Sequence, residues 1–321
     1  MPIGSEAFKE AVRLLRRGAL VALPTETVYG LAGDAANDAA IARIYELKGR
    51  PAHNPLIAHV LSPEDVATFA EVNPLAQSLM EAFWPGPLTL VLPRKQRASN
   101  SASDEAARLS SLAGGWLPTL AVRCPDTLWS KAFLELGWRG ALFMPSANIS
   151  GRISPTRASH VSADFEQGVD LIIDGGPCQA GVESTVLEVK DDYAVLLRPG
   201  AISAQQLAPY IDDLRAVDAA KTDDLTPNAP GMLKSHYAPR ARVRLNAHRR
   251  QSGEVLLGFG EIEGDLNLSP AGDLTEAARN LYAYLRRLDE RDASCIAVAP
   301  VPHEGLGAAI NDRLNRAAAE R

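Results

Sequence analysis

Apolar residues recur at helical spacing near the start of the chain: Phe8, Ala11, Val12 and Leu15 share one face, between Ser5 as the expected N-cap and Gly18 as the stop. The run "ALVAL" that follows is apolar throughout and ends at Pro24, which predicts a buried strand. After the polar turn "PTETVYG", a second helix begins near Asn37 or Asp38 and ends at Gly49. "PLIAHV" reads as a strand. "SPED", with a serine cap, proline in the first turn and two acids behind it, opens a helix that runs to about Trp84. "PLTLVLP", "TLAVRCP", "GALFMP", "DLIIDGG", "STVLEV" and "AVLLRPG" are further strands. Helical intervals separate some of them and hairpin-like spacing separates others. The fold class is therefore α/β, with a twisted mixed sheet rather than a strictly parallel one.

Two stretches break the pattern. Residues 94–115 are polar, rich in Ser and Ala and aperiodic, as expected of a mobile surface excursion. From 212 the chain turns acidic and then proline-rich through "TPNAPGMLKSHYAP", as expected of a linker. Beyond it, strands "EVLLGFG" and "CIAVAP" and two helices predict a small C-terminal α/β unit of Rossmann-like type. One of those helices has Leu274, Ala278, Leu281, Leu285 and Leu288 on one face; "GLGAAINDRLNRAAAER" is the other. The chain thus divides into a main unit (1–211), a linker (212–240) and the small unit (241–321).

Composition narrows the chemistry. The 321 residues carry a net charge of −6, which argues against a general electrostatic grip on nucleic acid or on anionic membrane. No apolar run approaches the ~18 residues of a membrane span and the N-terminus lacks a signal-peptide core, so the expected location is the cytoplasm. The three cysteines, Cys124, Cys178 and Cys295, have neither disulfide-framework nor zinc spacing. P-loop, HExxH and GxSxG motifs are absent from the sequence.

What recurs is cations and small polar residues at element ends. Lys48 lies on the apolar stripe of Ile41, Ile44 and Tyr45, where a charge must snorkel, pair or meet a ligand anion. Gly49 and Pro51 then place Arg50 on a tight turn. A solvated helix end is the plain alternative for this pair. Thr25, Glu26 and Thr27 follow a strand directly, as a ligand loop or a capped turn. "MPSANISGRISPT" offers the hydroxyls and amides of an anion-binding loop or of an ordinary polar one. Glu183 precedes Ser184 and Thr185 at the start of "STVLEV", and His59 is either a core histidine or a ligand contact. Arg123 and Arg198 both end strands; with Lys48 and Arg50 they could line one anionic cleft in an acidic protein.

"PTETVYGL", "KGRPAHNPLIAHV", "WPGPLTLVL", "LAVRCP", "PSANISGRISPT", "DGGPCQAGVESTVLEV", "LRPGAI" and "PGMLKSHYAP" occur together in one order. In this the chain resembles the threonylcarbamoyl-AMP synthases of the YrdC-domain family, in their long form with a C-terminal domain. The resemblance implies a twisted α/β sheet around a basic cavity. It implies nucleotidyl transfer: L-threonine and bicarbonate or CO2 give a carbamate, which attacks the α-phosphate of ATP and releases pyrophosphate. Other proteins then transfer the activated group to a tRNA adenosine beside the anticodon. Tight nucleic-acid binding by this chain is not expected, and neither is a membrane partner. The resemblance further implies Lys48, Arg50, Asn54, Thr119, Ser146, Asn148, Ser154 and Arg198 around ATP, with Lys48 and Arg50 as the catalytic cations. Thr27, His59, Arg123, Met144 and Ser184 fall around threonine. His236 and Tyr237 fall over the nucleotide as a lid, and Mg²⁺ is carried by the phosphates. Two other readings are an RNA-binding module and a carbamoyltransferase that forms carbamoyl-adenylate.

Overall fold

The structure is a computed structural model and describes residues 1–95, 108–217, 235–291 and 293–320. The chain opens with helix α1 (Ser5–Leu15), strands β1 (Val21–Leu23) and β2 (Gly30–Asp34), and helix α2 (Asp38–Lys48). Then come β3 (Ala58–His59), the short α3 (Val66–Phe69), α4 (Pro74–Phe83), β4 (Leu88–Pro93) and β5 (Thr119–Arg123). They are followed by α5 (Leu128–Glu135), β6 (Leu142–Phe143), α6 (Ala158–Asp164) and β7 (Leu171–Ile172). β8 (Thr185–Val189), β9 (Ala194–Arg198), α7 (Ala204–Leu207) and β10 (Leu214–Ala216) complete the first sheet and its helices. Among the described residues, ten strands form one mixed sheet in the order β10-β9-β8-β4-β5-β3-β6-β2-β1-β7. The second unit holds β11 (Arg242–Arg244), β12 (Glu254–Gly258), β13 (Leu266–Asn267), α8 (Leu274–Asp289), β14 (Cys295–Val298) and α9 (Gly307–Ala318). Its sheet, in the order β11-β14-β12-β13, is parallel throughout.

The α2 segment behaves as its sequence predicts. The Asn37 side chain accepts from Ala40 N, Ala40, Ile41 and Ile44 are buried, and Gly49 closes the helix in the left-handed region at φ 56°. Elsewhere local signals were overridden. Ser5 lies inside α1, whose N-cap position is Gly4. The single helix expected from "SPED" to Trp84 is three pieces: a 3₁₀ turn over Pro63–Asp65, α3 and α4. Asn73 caps α4 and Pro74 occupies its first turn, so a second start signal sits inside the expected helix. β2 was hidden by its two glycines. A Cβ on Gly30 would stand 2.3 Å from Met144, so the close approach of β2 to the segment after β6 requires glycine there.

Of the segment 94–115, residues 96–107 lie outside the described residues. Residues 108–115 are at the surface in part, with Arg108, Ser111, Leu112 and Gly115 exposed, but are anchored: Ser110 and Ala113 are buried, Ser110 N donates to Ala35 O, and Leu56 N donates to Ala113 O. Of the linker, 218–234 lie outside the described residues, while Leu214–Ala216 pairs with β9. Among the described residues no helix is long and apolar enough to cross a membrane.

Candidate active site

Strand polarity decides which side chains meet. β3 and β5 run parallel, with His59 paired to Arg123 at their C-terminal ends. β4 runs antiparallel to β5 and parallel to β8, so the beginnings of β4 and β8 reach the same edge of the sheet. β9 runs antiparallel to β8, and its last residue, Arg198, pairs with Val186 there. Along this edge a cleft is walled by Thr27, Arg50, His59, Arg123 and Met144, and by Ser146, Ser184 and Arg198. His236 and Tyr237, from the end of the linker segment, close it. Three guanidinium groups thus line one largely buried cavity in an acidic chain. In a low-dielectric enclosure they attract an anion far more strongly than the same charges would in water.

Each cation is held by backbone and side-chain oxygens. Arg50 donates to Asn54 O at 3.1 Å, Asn54 Oδ1 at 2.6 Å and Pro55 O at 2.8 Å. Arg123 donates to Thr27 Oγ1 at 3.0 Å, to Gly86 O at 3.2 Å and to Glu26 Oε1 at 2.5 Å. Arg198 donates to Ser184 O and Oγ, and that hydroxyl also bonds Thr89. Burial pulls the Arg50 guanidinium down to about 10, still protonated at neutral pH. Burial, reinforced by Arg123, takes His59 down to about 3. Its Nδ1 lies 3.1 Å from Ile57 O, a carbonyl that can only accept. The ring is therefore neutral, with Nδ1 protonated and Nε2 left as the acceptor. His236 is likewise taken to about 3, by burial first and then by Arg50.

Several expected residues are not on the cavity wall. Lys48 is buried as the stripe predicts, but its Nζ donates to Ser146 O at 2.7 Å and to Asn148 O. Burial, then Arg50, pulls its pKa well down. Ser150 N returns a bond to Lys48 O at 2.8 Å, so the end of α2 and the Ser146–Ser150 loop are stitched together. Asn54 buttresses Arg50, Asn148 bonds its own loop, and Ser154 donates to Glu183 at 2.6 Å. Thr119 begins the strand that Arg123 ends, roughly 13 Å away at ~3.3 Å per residue. Asn54 Nδ2, Asn148 Oδ1 and His236 Nδ1 are buried without a hydrogen-bond partner; of the three, only His236 is on the cavity wall, where a polar ligand would relieve it.

Sequence reasoning gave no site role to Glu183, Tyr282 or Arg313. Glu183 stands on the cavity wall and bonds Ser154, Tyr282 and Arg313. Burial raises its pKa, but Arg313, Arg198 and these hydrogen bonds outweigh it and hold the carboxyl at about 2. A signal was present: Arg313 lies among Ile310, Leu314 and Ala317 on the buried face of α9, as Lys48 does on α2.

A mixed sheet folded around a cation-walled cavity, with a parallel α/β unit behind it, is the architecture of one class. The Sua5/YciO/YrdC family model, described as "Telomere recombination", matches residues 13–200. The model described as "Threonylcarbamoyl-AMP synthase, C-terminal domain" matches residues 202–319. The chain belongs to the threonylcarbamoyl-AMP synthase family. It is 40% identical to the Pyrococcus abyssi threonylcarbamoyl-AMP synthase, over 97% of this chain and 94% of that one. The Bacillus subtilis enzyme of the same name is 38% identical, over 97% and 93%. The crystal structure of P. abyssi Sua5 complexed with L-threonine superposes with a TM-score of 0.87 and 37% identity, covering 98% of this chain and 95% of that one.

Proposed function

We propose that the chain is an L-threonylcarbamoyladenylate synthase, forming threonylcarbamoyl-AMP and pyrophosphate from L-threonine, bicarbonate or CO2 and ATP. The observation that carries this reading is the convergence of Arg50, Arg123 and Arg198 on one enclosed cavity, in a chain related over its full length to enzymes of that name. The carbamate of threonine is itself an anionic nucleophile. Its oxygen bonds to the α-phosphorus as the bond from that phosphorus to the pyrophosphate oxygen breaks. The protein's task is to bring two anions together and neutralise the charge that develops.

In this reading Arg50 and Arg198 face the phosphates, with Ser146 beside them. Arg123 takes the threonine carboxylate, and Thr27 and Ser184, each bonded to an arginine, set the orientation of the cations. His59, fixed as a neutral ring, accepts a hydrogen bond from threonine through Nε2. Met144 supplies an apolar wall, while His236 and Tyr237 keep water from the mixed anhydride. Lys48, Asn54, Asn148 and Ser154 act from behind the wall. Thr119 would reach the nucleotide only at its far end.

Among the described residues no group of His, Cys, Asp or Glu is arranged to hold a metal. The carboxylate on the cavity wall, Glu183, is occupied by Arg313, Tyr282 and Ser154. This donor set does not fit a protein-held magnesium site, so magnesium enters as part of the MgATP substrate. We take residues 1–211 as the catalytic unit, 212–240 as the linker and 241–321 as the C-terminal unit, and tRNA-modifying transfer proteins as the consumers of the product. The test is pyrophosphate release from ATP by the full chain. Release is expected to require both L-threonine and bicarbonate, and an equal rate without threonine would overturn the assignment.

A further inference from the structure

We propose that Tyr282 and Arg313, one on each helix of the C-terminal unit, are positioning residues that latch His236 and Tyr237 over the cavity. The inference rests on the adenylate-forming reading above. Arg313 Nε donates to Glu183 at 2.7 Å, and its Nη2 donates at 2.9 Å to the carbonyl of Pro199, the residue after Arg198. The Tyr282 hydroxyl reaches both Glu183 oxygens, at 3.0 and 2.8 Å. The same two side chains grip the lid. The Arg313 guanidinium lies 5.0 Å from the centre of the Tyr237 ring, and the Tyr282 ring stacks on Tyr237 with 5.9 Å between centroids. His236 N donates to Arg316 O at 3.3 Å, and on the other side Ala238 N donates to Gly151 O at 2.8 Å.

Two features separate a latch from ordinary interdomain packing. Tyr237 adopts φ 61°, a left-handed conformation unfavourable for a bulky residue, which persists only where its surroundings over-determine it. Here the ring is clamped between a guanidinium and a second ring. The Glu183–Arg313 pair is buried on both sides, at 8% and 0% side-chain exposure. A buried ion pair is a poor source of net stability compared with apolar packing, so its value lies in fixing one arrangement of the groups it joins. Those groups are the cavity wall, the strand end that carries Arg198, and the lid. The C-terminal unit thereby sets how long nucleotide and adenylate remain enclosed, without touching either.

The test uses the full chain and the variants Arg313→Met, Arg313→Lys and Tyr282→Phe. An opened lid weakens retention more than chemistry. Arg313→Met is therefore expected to raise the KM for ATP about tenfold or more with kcat changed less than about threefold. It should also lose protein-bound threonylcarbamoyl-AMP on rapid gel filtration. Tyr282→Phe is expected to move both readouts in the same direction by about threefold, and Arg313→Lys to recover part of the loss. Trypsin cleavage between the two units, read by mass spectrometry, should rise at least fivefold in Arg313→Met, a readout independent of catalysis. A variant that melts earlier but keeps wild-type KM, retention and cleavage would show that Arg313 merely supports the fold, and overturns the latch. If Arg313→Met does not fold, unchanged KM and retention in Tyr282→Phe overturn it instead. Absence of threonine-dependent pyrophosphate release in the unaltered chain would sink the proposed function alone, leaving the cleavage result to decide the latch.

Discussion

Lys48→Met separates two ways in which a buried lysine could serve this cavity. In the structure its ammonium holds the carbonyls of Ser146 and Asn148, and Ser146 is on the cavity wall while Lys48 is not. Methionine keeps the length of the stem and removes both donors. Hydrogen bonds from a charged group contribute about 1.5–3 kcal/mol each, and a buried carbonyl left bare costs about 1–3 kcal/mol. Against this, the variant no longer has to desolvate an ammonium ion, which returns several kcal/mol. The balance is a loss of roughly 2–4 kcal/mol. For a unit of this size, at about 2–4 °C per kcal/mol, that lowers the melting midpoint by roughly 4–16 °C. The loop should shift with it, so kcat/KM for ATP is expected to fall at least tenfold in the pyrophosphate assay. The two effects must appear together. A variant that loses activity while its melting curve stays within about 1 °C of the parent would mean that Nζ leaves the loop to serve the ligand directly, and the anchoring role would be refuted.

Acid should unfold the chain through its buried histidines. His59 and His236 titrate near 3 in the folded state against an ordinary 6.5, so the unfolded chain takes up their protons first as the pH falls. Stability is fully present above pH 6.5 and is lost toward pH 3, by up to roughly 5 kcal/mol per ring at about 1.4 kcal/mol per pH unit. Urea midpoints across that range check this, and His59→Gln should flatten the curve; a pH-independent midpoint would refute the neutral-ring assignment. Arg123→Lys keeps the charge but loses the fork that reaches Thr27, Gly86 and Glu26, and is expected to raise the KM for threonine at least tenfold with that for ATP changed less than threefold. Gly30→Ala places a methyl group 2.3 Å from Met144 and should cost about 1–3 kcal/mol in a thermal melt, with a raised KM for threonine.

The positions of individual cations were legible where one element alone determines them. A charge on an apolar stripe marked Lys48 as buried, and a glycine after it marked the turn that carries Arg50. What the buried charge meets is not a local property. Lys48 bonds residues about a hundred positions away, and only the sheet order brings that loop to the end of α2. Strand ends were legible in the same limited sense. Thr119 and Arg123 begin and end one short strand, and no pattern within it states which end reaches the cavity. The polarity of β3, β4, β8 and β9 settles that in favour of Arg123.

Arg313 shows how far the stripe argument extends when it is applied without regard to domain. It sits on the buried face of α9 between Ile310 and Leu314, and by the logic applied to Lys48 it had to pair or meet an anion. Its partners prove to be its neighbour Asp312 and Glu183, which lies 130 positions earlier and on the cavity wall. A charge buried in a helix of another unit is therefore a statement about the interface between units. Such a group leaves its own apolar core toward acceptors brought by a second element, a carboxylate for Arg313 and two carbonyls for Lys48. Here that second element carries the cation-walled cavity, which is how the proposed latch would act from a C-terminal unit none of whose described residues lines it.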